Sequence, residues 1–459
     1  MKVLLVEPPV SPYDIPTGLA GLPEPLALES IASKMREKHE VDILDMRLED
    51  NLDVYLRKYQ PDVVGVGSVT ANHHLAKKIL SEAKKYNREA LTIIGGHHVT
   101  FMPQDANESY IDVIVVGEGD FTAANVVDAF SNKEPLDEVQ GIVINRNGNQ
   151  IQTKPASLID MDVLPLPSRD LVSKYRTQYF QRTHRPIVSI NSSRGCPYKC
   201  KFCSLWKMNR GKYRTRSAEL VVNEIEGFKE DFVDFIDDNS LENINRANKI
   251  ADLIIERRIE KQYKMYSRAT TVANNPKLIE KLSSVGLKML LVGFESIMDN
   301  QLNSWNKKST FQINQRAIEI LKKNNVEIAA YFVVDPQFGI EEFESLSRYV
   351  NKMGISDPVF TILIPFPGTD LYEERKHEIY WNDYRIYDFF HTVFKPKLPL
   401  EEFYDQFSLL YKKSYLKANI TLENSKENPS MRTILGKMLE RIHSLKSHHI
   451  NVKENANCE

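Results

Sequence analysis

The chain has 459 residues, of which 42% are apolar and 27% charged, a length that exceeds one ordinary core and predicts two or three domains. A formal net charge of −2 excludes an overall field that would draw the chain to nucleic acid or an anionic membrane. No apolar run reaches the ~18 residues that span a bilayer. The start, Met1 to Val6, is a short apolar strand that meets Glu7-Pro8-Pro9. It lacks the longer apolar stretch and small-residue cleavage site of a secretory signal, so a cytoplasmic location is expected. Cysteine is scarce, with four in the chain and three of them bunched, which is intracellular usage rather than a disulfide framework.

Residues 1–135 alternate short apolar runs with amphipathic stretches. Val3–Val6, Val41–Met46, Val63–Ser68, Leu91–Ile94 and Ile111–Val116 read as strands. Leu26–Lys38, apolar at Leu28, Ile31, Ala32 and Met35, reads as a helix, as do residues 73–86. This alternation predicts an α/β fold with a doubly wound, Rossmann-like sheet whose ligand lies beyond the carboxyl ends of the strands. Those ends carry Pro8-Pro9, Ser68-Val69-Thr70, Gly95-Gly96-His97-His98 and Gly117-Glu118-Gly119. No G-x-G-x-x-G follows the first strand, so a dinucleotide is not supported. Gly95–Pro103 and Val116–Asp120 resemble segments of the cobalamin-binding domain that precedes many radical SAM cores. The resemblance implies cobalamin contacts from Ser68, Thr70, Gly95, Gly96, His97, Gly117, Glu118 and Gly119. Many cobalamin proteins carry a cobalt-ligating histidine in D-x-H-x-x-G after the first strand, but Glu7 to Asp14 contains none. The corrinoid is therefore expected to lack a histidine below cobalt, with Val69–Asn72 facing it, which eases access to the lower-valent metal. His73, His74, His97 and His98 are the neighbouring candidates, against the plainer reading of hydrogen-bonded loop histidines.

Residues 136–185 read as a linker, with a polar turn at Asn145–Gly148, a strand-like Gly141–Ile144 and alternate prolines in Leu164–Pro167 that favour an extended connector. From Pro186 the strand–helix pattern returns. Strands are expected at Ile187–Ile190, Phe232–Ile236, Tyr263–Ser267, Met289–Val292, Ile328–Val334 and Val359–Ile364, and Ser217 is placed to cap the first helix. Polar or special residues follow each strand, including Asp237-Asp238-Asn239, Arg268, Glu295 and Pro365–Thr369. In parallel β/α barrels the chemistry lies on that face. Six units rather than eight predict a partial, open (β/α)6 TIM-like barrel over residues 186–375.

The loop after the first of these strands reads Ser193-Arg194-Gly195-Cys196-Pro197-Tyr198-Lys199-Cys200-Lys201-Phe202-Cys203. Three thiolates can hold three irons of a [4Fe–4S] cluster and leave the fourth open to a small ligand. Zinc is the alternative, but a structural zinc wants four ligands, and the nearest upstream histidine, His184, is twelve residues before Cys196. Ferredoxin spacings use four cysteines. The C-x3-C-x2-C run, with aromatic Phe202 before its last cysteine, resembles the signature of radical SAM enzymes. That resemblance implies Cys196, Cys200 and Cys203 as cluster ligands. It also implies Glu295 as the acid that bonds the S-adenosylmethionine (SAM) ribose, for which a carboxylate accepting two hydroxyl protons is suited. Phe202, Asn239 and Pro365 match further SAM contacts, and Arg268 and Asp238 match catalytic groups at the top face. For Asp237-Asp238 a helix cap is the plainer reading, and for Arg268 an ion pair.

Residues 376–459 read as a helical, aromatic region, with Trp381, Tyr384, Tyr387, Phe389, Phe390 and His391 leading into Phe403, Phe407 and Tyr411. A bundle covering the barrel and a lid over an apolar substrate are both open. The Trp381–His391 run and Leu398–Phe403 resemble the tail of a subgroup with hopanoid methylases and the anaerobic magnesium-protoporphyrin ester cyclase. The resemblance spans residues 1–415. It implies a class B, cobalamin-dependent radical SAM C-methyltransferase that moves a methyl from SAM, by way of methylcobalamin, to a carbon radical formed by 5′-deoxyadenosyl. The substrate would be a small molecule, bulky and apolar if the aromatic tail contacts it, and the electron donor a flavodoxin or ferredoxin. Cyclisation or rearrangement without methyl transfer, and a non-catalytic Fe–S or corrinoid carrier, are the alternatives.

Overall fold

The computed structural model describes residues 1–11, 21–417 and positions 436, 439, 440, 445 and 449. Pro12 to Asp14 of the first strand-end loop, Cys458 and the polar stretch from 422 onward otherwise lie outside the described residues. The chain divides into two compact units, Met1–Asp14 with Pro23–Gln178, and Ile15–Leu22 with Tyr179–Glu459.

The first unit holds a seven-stranded sheet. Its strands are β1 (Lys2–Glu7), β2 (Glu40–Asp45), β3 (Val63–Gly67), β4 (Leu91–Gly95), β5 (Val113–Val115), β6 (Ile142–Arg146) and β7 (Asn149–Gln152), in the order β2-β1-β3-β4-β5-β6-β7. The first five run parallel and the last two antiparallel. Val3, Leu4, Leu5 and Val6 are all buried, because a parallel strand covered by helices on both faces has no polar side. The direction of strand addition reverses between β1 and β3, which opens a crevice at their carboxyl ends. The hairpin of β6 and β7 lies inside the stretch 136–185 that reads as a connector. Residues 142–152 instead extend the sheet, since Ile142, Val143 and Ile144 are buried against β5. Two helices that the apolar periodicity left unassigned, Leu52–Tyr59 and Gly119–Asn132, complete the wrapping.

The second unit holds six parallel strands in chain order: β8 (Ile187–Ile190), β9 (Phe232–Phe235), β10 (Gln262–Arg268), β11 (Leu287–Glu295), β12 (Glu327–Val334) and β13 (Asp357–Ile362). β8 and β13 each pair on one side only, so the sheet is open. Alternation along β10 puts Lys264, Tyr266 and Arg268 on one face, and Asp234 of β9 is in register with Lys264. These two form a buried ion pair of 2.9 Å, and Lys264 Nζ also donates to the Tyr266 hydroxyl at 2.9 Å.

The expected helical region after residue 376 is only partly helical. Leu400–Lys417 is a helix, but residues 379–399 contain no α-helix and only the 3-10 turn Tyr384–Ile386. Local side chains compete with helix there. Asp383 Oδ1 accepts from the Arg385 amide at 2.8 Å, and Asp388 Oδ1 accepts from the amides of Phe390 and His391 at 2.9 Å each. Pro396 and Pro399 then bar helical backbone until Leu400. Among the described residues, no helix is long and apolar enough to cross a membrane.

Candidate active site

The cysteine loop leaves β8 and is held open by carboxylates from the end of β9. Asp237 Oδ1 accepts from the amides of Ser192 and Ser193 at 2.6 and 2.9 Å, and its Oδ2 accepts from Ser192 Oγ at 2.6 Å. Asp238 Oδ2 accepts from the Gly195 amide at 2.6 Å. The pair thus serves the amides of the cysteine loop, where a helix cap was the plainer expectation. Burial raises both carboxyls, and the amide hydrogen bonds oppose that rise. Gly195 lies at φ +91°, and a Cβ there would overlap the Lys212 carbonyl, so only glycine lets the loop turn toward Cys196.

Cys200 is buried, while Cys196 and Cys203 are partly exposed. Burial pushes the Cys196 thiol up, and pushes Cys203 up to about 12. Thiols in that state are poor ligands until a metal displaces their protons. Arg268, at the end of β10, brings a guanidinium against Cys200. Its Nη1 approaches Cys200 Sγ at 3.5 Å, its Nη2 donates to the Lys307 carbonyl, and its plane lies 3.7 Å over the Tyr198 ring. Arg268 is therefore a neighbour of a candidate cluster ligand rather than an ion-pair partner. Among the described residues no three His, Cys, Asp or Glu side chains converge on one ion position.

The loop's far side packs on the ends of β12 and β13. Phe202 joins Trp305, Val333, Leu363 and Leu371, meeting Trp305 edge-on at 6.0 Å. The Lys201 amide donates to the Trp305 carbonyl at 3.0 Å, and the Lys201 carbonyl accepts from Leu371 at 2.8 Å. Pro365 is buried between Ile364 and Phe366 in the loop after β13. Asn239 is buried, its Nδ2 donating to Glu242 at 2.7 Å and its carbonyl accepting from the Tyr213 hydroxyl at 3.1 Å.

Glu295 ends β11 at a register shift and has φ +65°. A non-glycine residue in that region signals strain held by its surroundings. Lys307 supplies the hold, with Nζ 2.7 Å from Oε1. Gly293 makes room, since a Cβ there would overlap this carboxylate. Glu295 fronts a recess of about 300 Å³ that Met298, Val333, Phe338 and Leu346 also line. Sequence reasoning missed Lys307, Tyr198 and the Lys264–Asp234 pair. The alternation Lys264, Tyr266, Arg268 was the available signal for the last.

In the first unit the strand-end residues are arranged differently. Ser68 Oγ is 2.9 Å from His73 Nδ1, and Thr70 Oγ1 is 3.3 Å from His98 Nδ1. The other ring nitrogens reach Asp105, His73 Nε2 at 3.2 Å from its carbonyl and His98 Nε2 at 3.2 Å from Oδ2. The two rings lie 4.3 Å apart. Burial, with His98 beside it, lowers His73 to about 4. Both hydroxyls are thus turned inward to the histidines, and Val69, 51% exposed, is the side chain the loop presents outward. His97 is half-buried, its ring 5.2 Å from Phe101, and burial lowers it. Gly96 at φ +107° lies so close to Ser68 that a Cβ would stand 2.5 Å from its carbonyl oxygen. Gly95 ends β4 against Val115. Gly117, at φ +90°, donates to Thr100 Oγ1 at 3.0 Å. Glu118 accepts from the Ile159 amide at 3.1 Å, and Gly119 packs on Ile31. Backbone thus comes close to the crevice at Gly96 and Gly117, an arrangement that fits a large ligand.

Comparison with known proteins agrees with this division. Residues 18–127 match the B12 binding domain family, and residues 190–350 match the radical SAM superfamily. The chain is 30% identical over 426 residues to the hopanoid C-3 methylase of Methylococcus capsulatus, covering 90% of this chain and 81% of that protein. It is 30% identical over 363 residues to the anaerobic magnesium-protoporphyrin IX monomethyl ester cyclase of Rubrivivax gelatinosus, covering 76% of this chain and 64% of the relative. In fold it is similar to the radical SAM methyltransferase TsrM of Kitasatospora setae, solved with cobalamin and a [4Fe–4S] cluster, at a TM-score of 0.68 and 15% identity over 99% of both chains. The chain belongs to the family of cobalamin-dependent radical SAM enzymes.

Proposed function

We propose that the protein is a SAM-dependent C-methyltransferase acting on an unactivated carbon of a small molecule. The observation that carries this reading is the cysteine loop itself, with three thiols after the first strand of an open parallel sheet and Arg268 against Cys200. In this reading residues 1–135 form a Rossmann-like corrinoid domain and residues 186–375 a partial (β/α)6 barrel. When bound, the cluster supplies the electron that cleaves SAM, and the corrinoid carries the methyl group. Cys196, Cys200 and Cys203 hold the cluster, and Asp237 and Asp238 fix their loop. Arg268 places a positive charge beside Cys200. Glu295 accepts hydrogen bonds from the ribose of SAM while Lys307 holds its carboxylate in place, and Phe202, Asn239 and Pro365 shape the rest of that pocket. In the first unit Val69 would present an apolar side chain to the corrinoid, and Gly96 and Gly117 would let backbone approach it. The relative named as a methylase supports methyl transfer, and the relative named as a cyclase keeps ring closure as the second reading.

Product analysis tests the proposal. The protein is reconstituted anaerobically with iron, sulfide and hydroxocobalamin, then given dithionite and SAM. Bound corrinoid, 5′-deoxyadenosine and S-adenosylhomocysteine together are the expected result. Corrinoid and 5′-deoxyadenosine without S-adenosylhomocysteine, with candidate substrates present, would favour the cyclase reading.

A further inference from the structure

The parallel sheet of the second unit has two unlike faces. On one, Val292, Phe332 and Phe360 join the helices Phe311–Lys323 and Ile340–Lys352 in a single core. On the other, Tyr266, Leu291, Tyr331 and Val359 are each partly exposed. A closed β/α barrel fills its inner face with layers of side chains. In this open sheet the exposure of four strands' inner residues marks room for a ligand. The cysteine loop stands at one end of that room, because its Phe202 packs on Val333 and Leu363. Val333 is two residues beyond Tyr331 on the same face, or roughly 7 Å along the strand.

The polar groups of this face are of two kinds. Lys264 Nζ donates to Asp234 Oδ2 and to the Tyr266 hydroxyl, at 2.9 Å each. The second bond uses a lone pair of Tyr266 and leaves its proton to be donated. No hydrogen bond runs from the Tyr266 or Tyr331 hydroxyl to a protein acceptor among the described residues. Burial raises both phenols, so each keeps its proton. The charged groups acting on Tyr331 are Lys264, Arg182, Asp234 and Glu295. Each cation has its own carboxylate: Lys264 has Asp234, Arg182 has Asp357, and Lys307 beside them has Glu295. Arg268 is turned to Cys200 and Tyr198. An anionic head group would therefore lose its hydration and meet no spare positive charge. A neutral oxygen would meet two unspent hydroxyl donors.

We propose that Tyr266 and Tyr331 are positioning residues that donate hydrogen bonds to a neutral oxygen, hydroxyl or carbonyl, on a substrate whose remaining surface is apolar. In calling this ligand a substrate we rest on the methyltransferase reading. Lys264, fixed by Asp234, orients the Tyr266 hydroxyl, while Leu291 and Val359 meet the apolar body. The oxygen is thereby anchored beneath the cysteine loop, and the carbon skeleton is held at a set distance from it.

Calorimetric titration tests this on the reconstituted full-length protein, loaded with cobalamin and SAM and given no reductant, so that nothing turns over. The probes share one rigid cage and differ in the head group: adamantanone, adamantanol and adamantane carboxylate. The ketone is isotopically labelled at its carbonyl, and its stretch is read by difference infrared spectroscopy. Ketone and alcohol should bind at least about tenfold more tightly than the carboxylate. The bound carbonyl stretch should fall below its value in an apolar solvent, since a hydrogen bond weakens C=O. Tyr266→Phe and Tyr331→Phe should each weaken the ketone about fivefold and reverse part of that shift, with iron content and SAM affinity unchanged. Tyr263→Phe removes a buried hydroxyl from the opposite face of β10 and should change neither quantity. Tight carboxylate binding, an unshifted carbonyl, or no ketone binding to the wild type overturns the proposal. So does equal weakening by Tyr263→Phe, which would mean a general loosening of the sheet. Failure of the methyltransferase reading shows separately, as absent S-adenosylhomocysteine in product analysis, and leaves the binding result standing.

Discussion

At the carboxyl ends of the first sheet, His73 and His98 are spent on Ser68, Thr70 and Asp105, so the polar side chains of that crevice bond to one another. At the carboxyl ends of the second sheet the carboxylates of Asp237 and Asp238 bond to loop amides, and the three thiols of that loop are free of disulfides. The first arrangement offers a ligand shape and backbone. The second offers donor atoms. This difference separates a crevice with shape to offer a ligand from a loop with atoms to offer one, and it predicts that the two can be damaged independently.

The largest effect should come from Cys200→Ala. Loss of one corner ligand should take 5′-deoxyadenosine formation below detection while bound corrinoid stays at the wild-type ratio. Residual cleavage at more than a few per cent would sink the cluster assignment. The glycines sharpen the same contrast. Gly195→Ala and Gly96→Ala each add a Cβ that overlaps backbone at a positive φ, at about 3–4 kcal/mol for conformation and overlap together. Iron content should fall in the first variant with corrinoid retained, and corrinoid in the second with iron retained. Iron and corrinoid assays on both proteins decide it, and parallel loss in either variant would break the comparison.

Much of this is legible in the sequence. All six strands of the second sheet were readable, because each is a β-branched or apolar run ended by a charged or turn residue. Glu295 and Arg268 were readable from their place after such runs. The inward turn of Ser68 and Thr70 was not, since a hydroxyl at a strand end looks the same whether it meets ligand or histidine. Nor was Lys307 readable. It is twelve residues after Glu295, and nothing in that spacing announces the ion pair. The aromatic segment 379–399 misled for a local reason: its spacing suits a helix, but Asp383 and Asp388 capture the amides a helix would need.

The histidine network carries a pH signature on the acid side of neutrality. Buried His73 is neutral in the folded protein, with its value lowered to about 4 from 6.5. The unfolded chain therefore binds the extra proton between those values, and stability is lost as pH falls through that window. The two and a half units correspond to about 3 kcal/mol. Protection factors of the amides of residues 68–76, corrected for intrinsic exchange, should fall as pH drops from 6.5 to 4.5, and His73→Asn should flatten that dependence. An unchanged slope in the variant would assign the acid sensitivity to another group. With cobalamin bound, the cob(II)alamin EPR spectrum of wild type and variant should alike lack splitting from a protein imidazole nitrogen.

Glu295→Gln probes a strand-end carboxylate with one oxygen to spare. Lys307 holds Oε1, and no hydrogen bond reaches Oε2 among the described residues, so one oxygen is left for a ligand. Glutamine keeps the acceptor that faces Lys307 but lacks the charge and presents an amide N–H where a second acceptor stood. SAM binding should weaken about tenfold, or about 1.4 kcal/mol, in calorimetric titration of the reconstituted protein, with iron content unchanged. If the unfolding midpoint falls instead while SAM affinity holds, Glu295 serves Lys307 and the strained end of β11 alone. The ribose contact would then belong to another residue of the 300 Å³ recess that it fronts, and Ser296 is the next polar side chain on that wall.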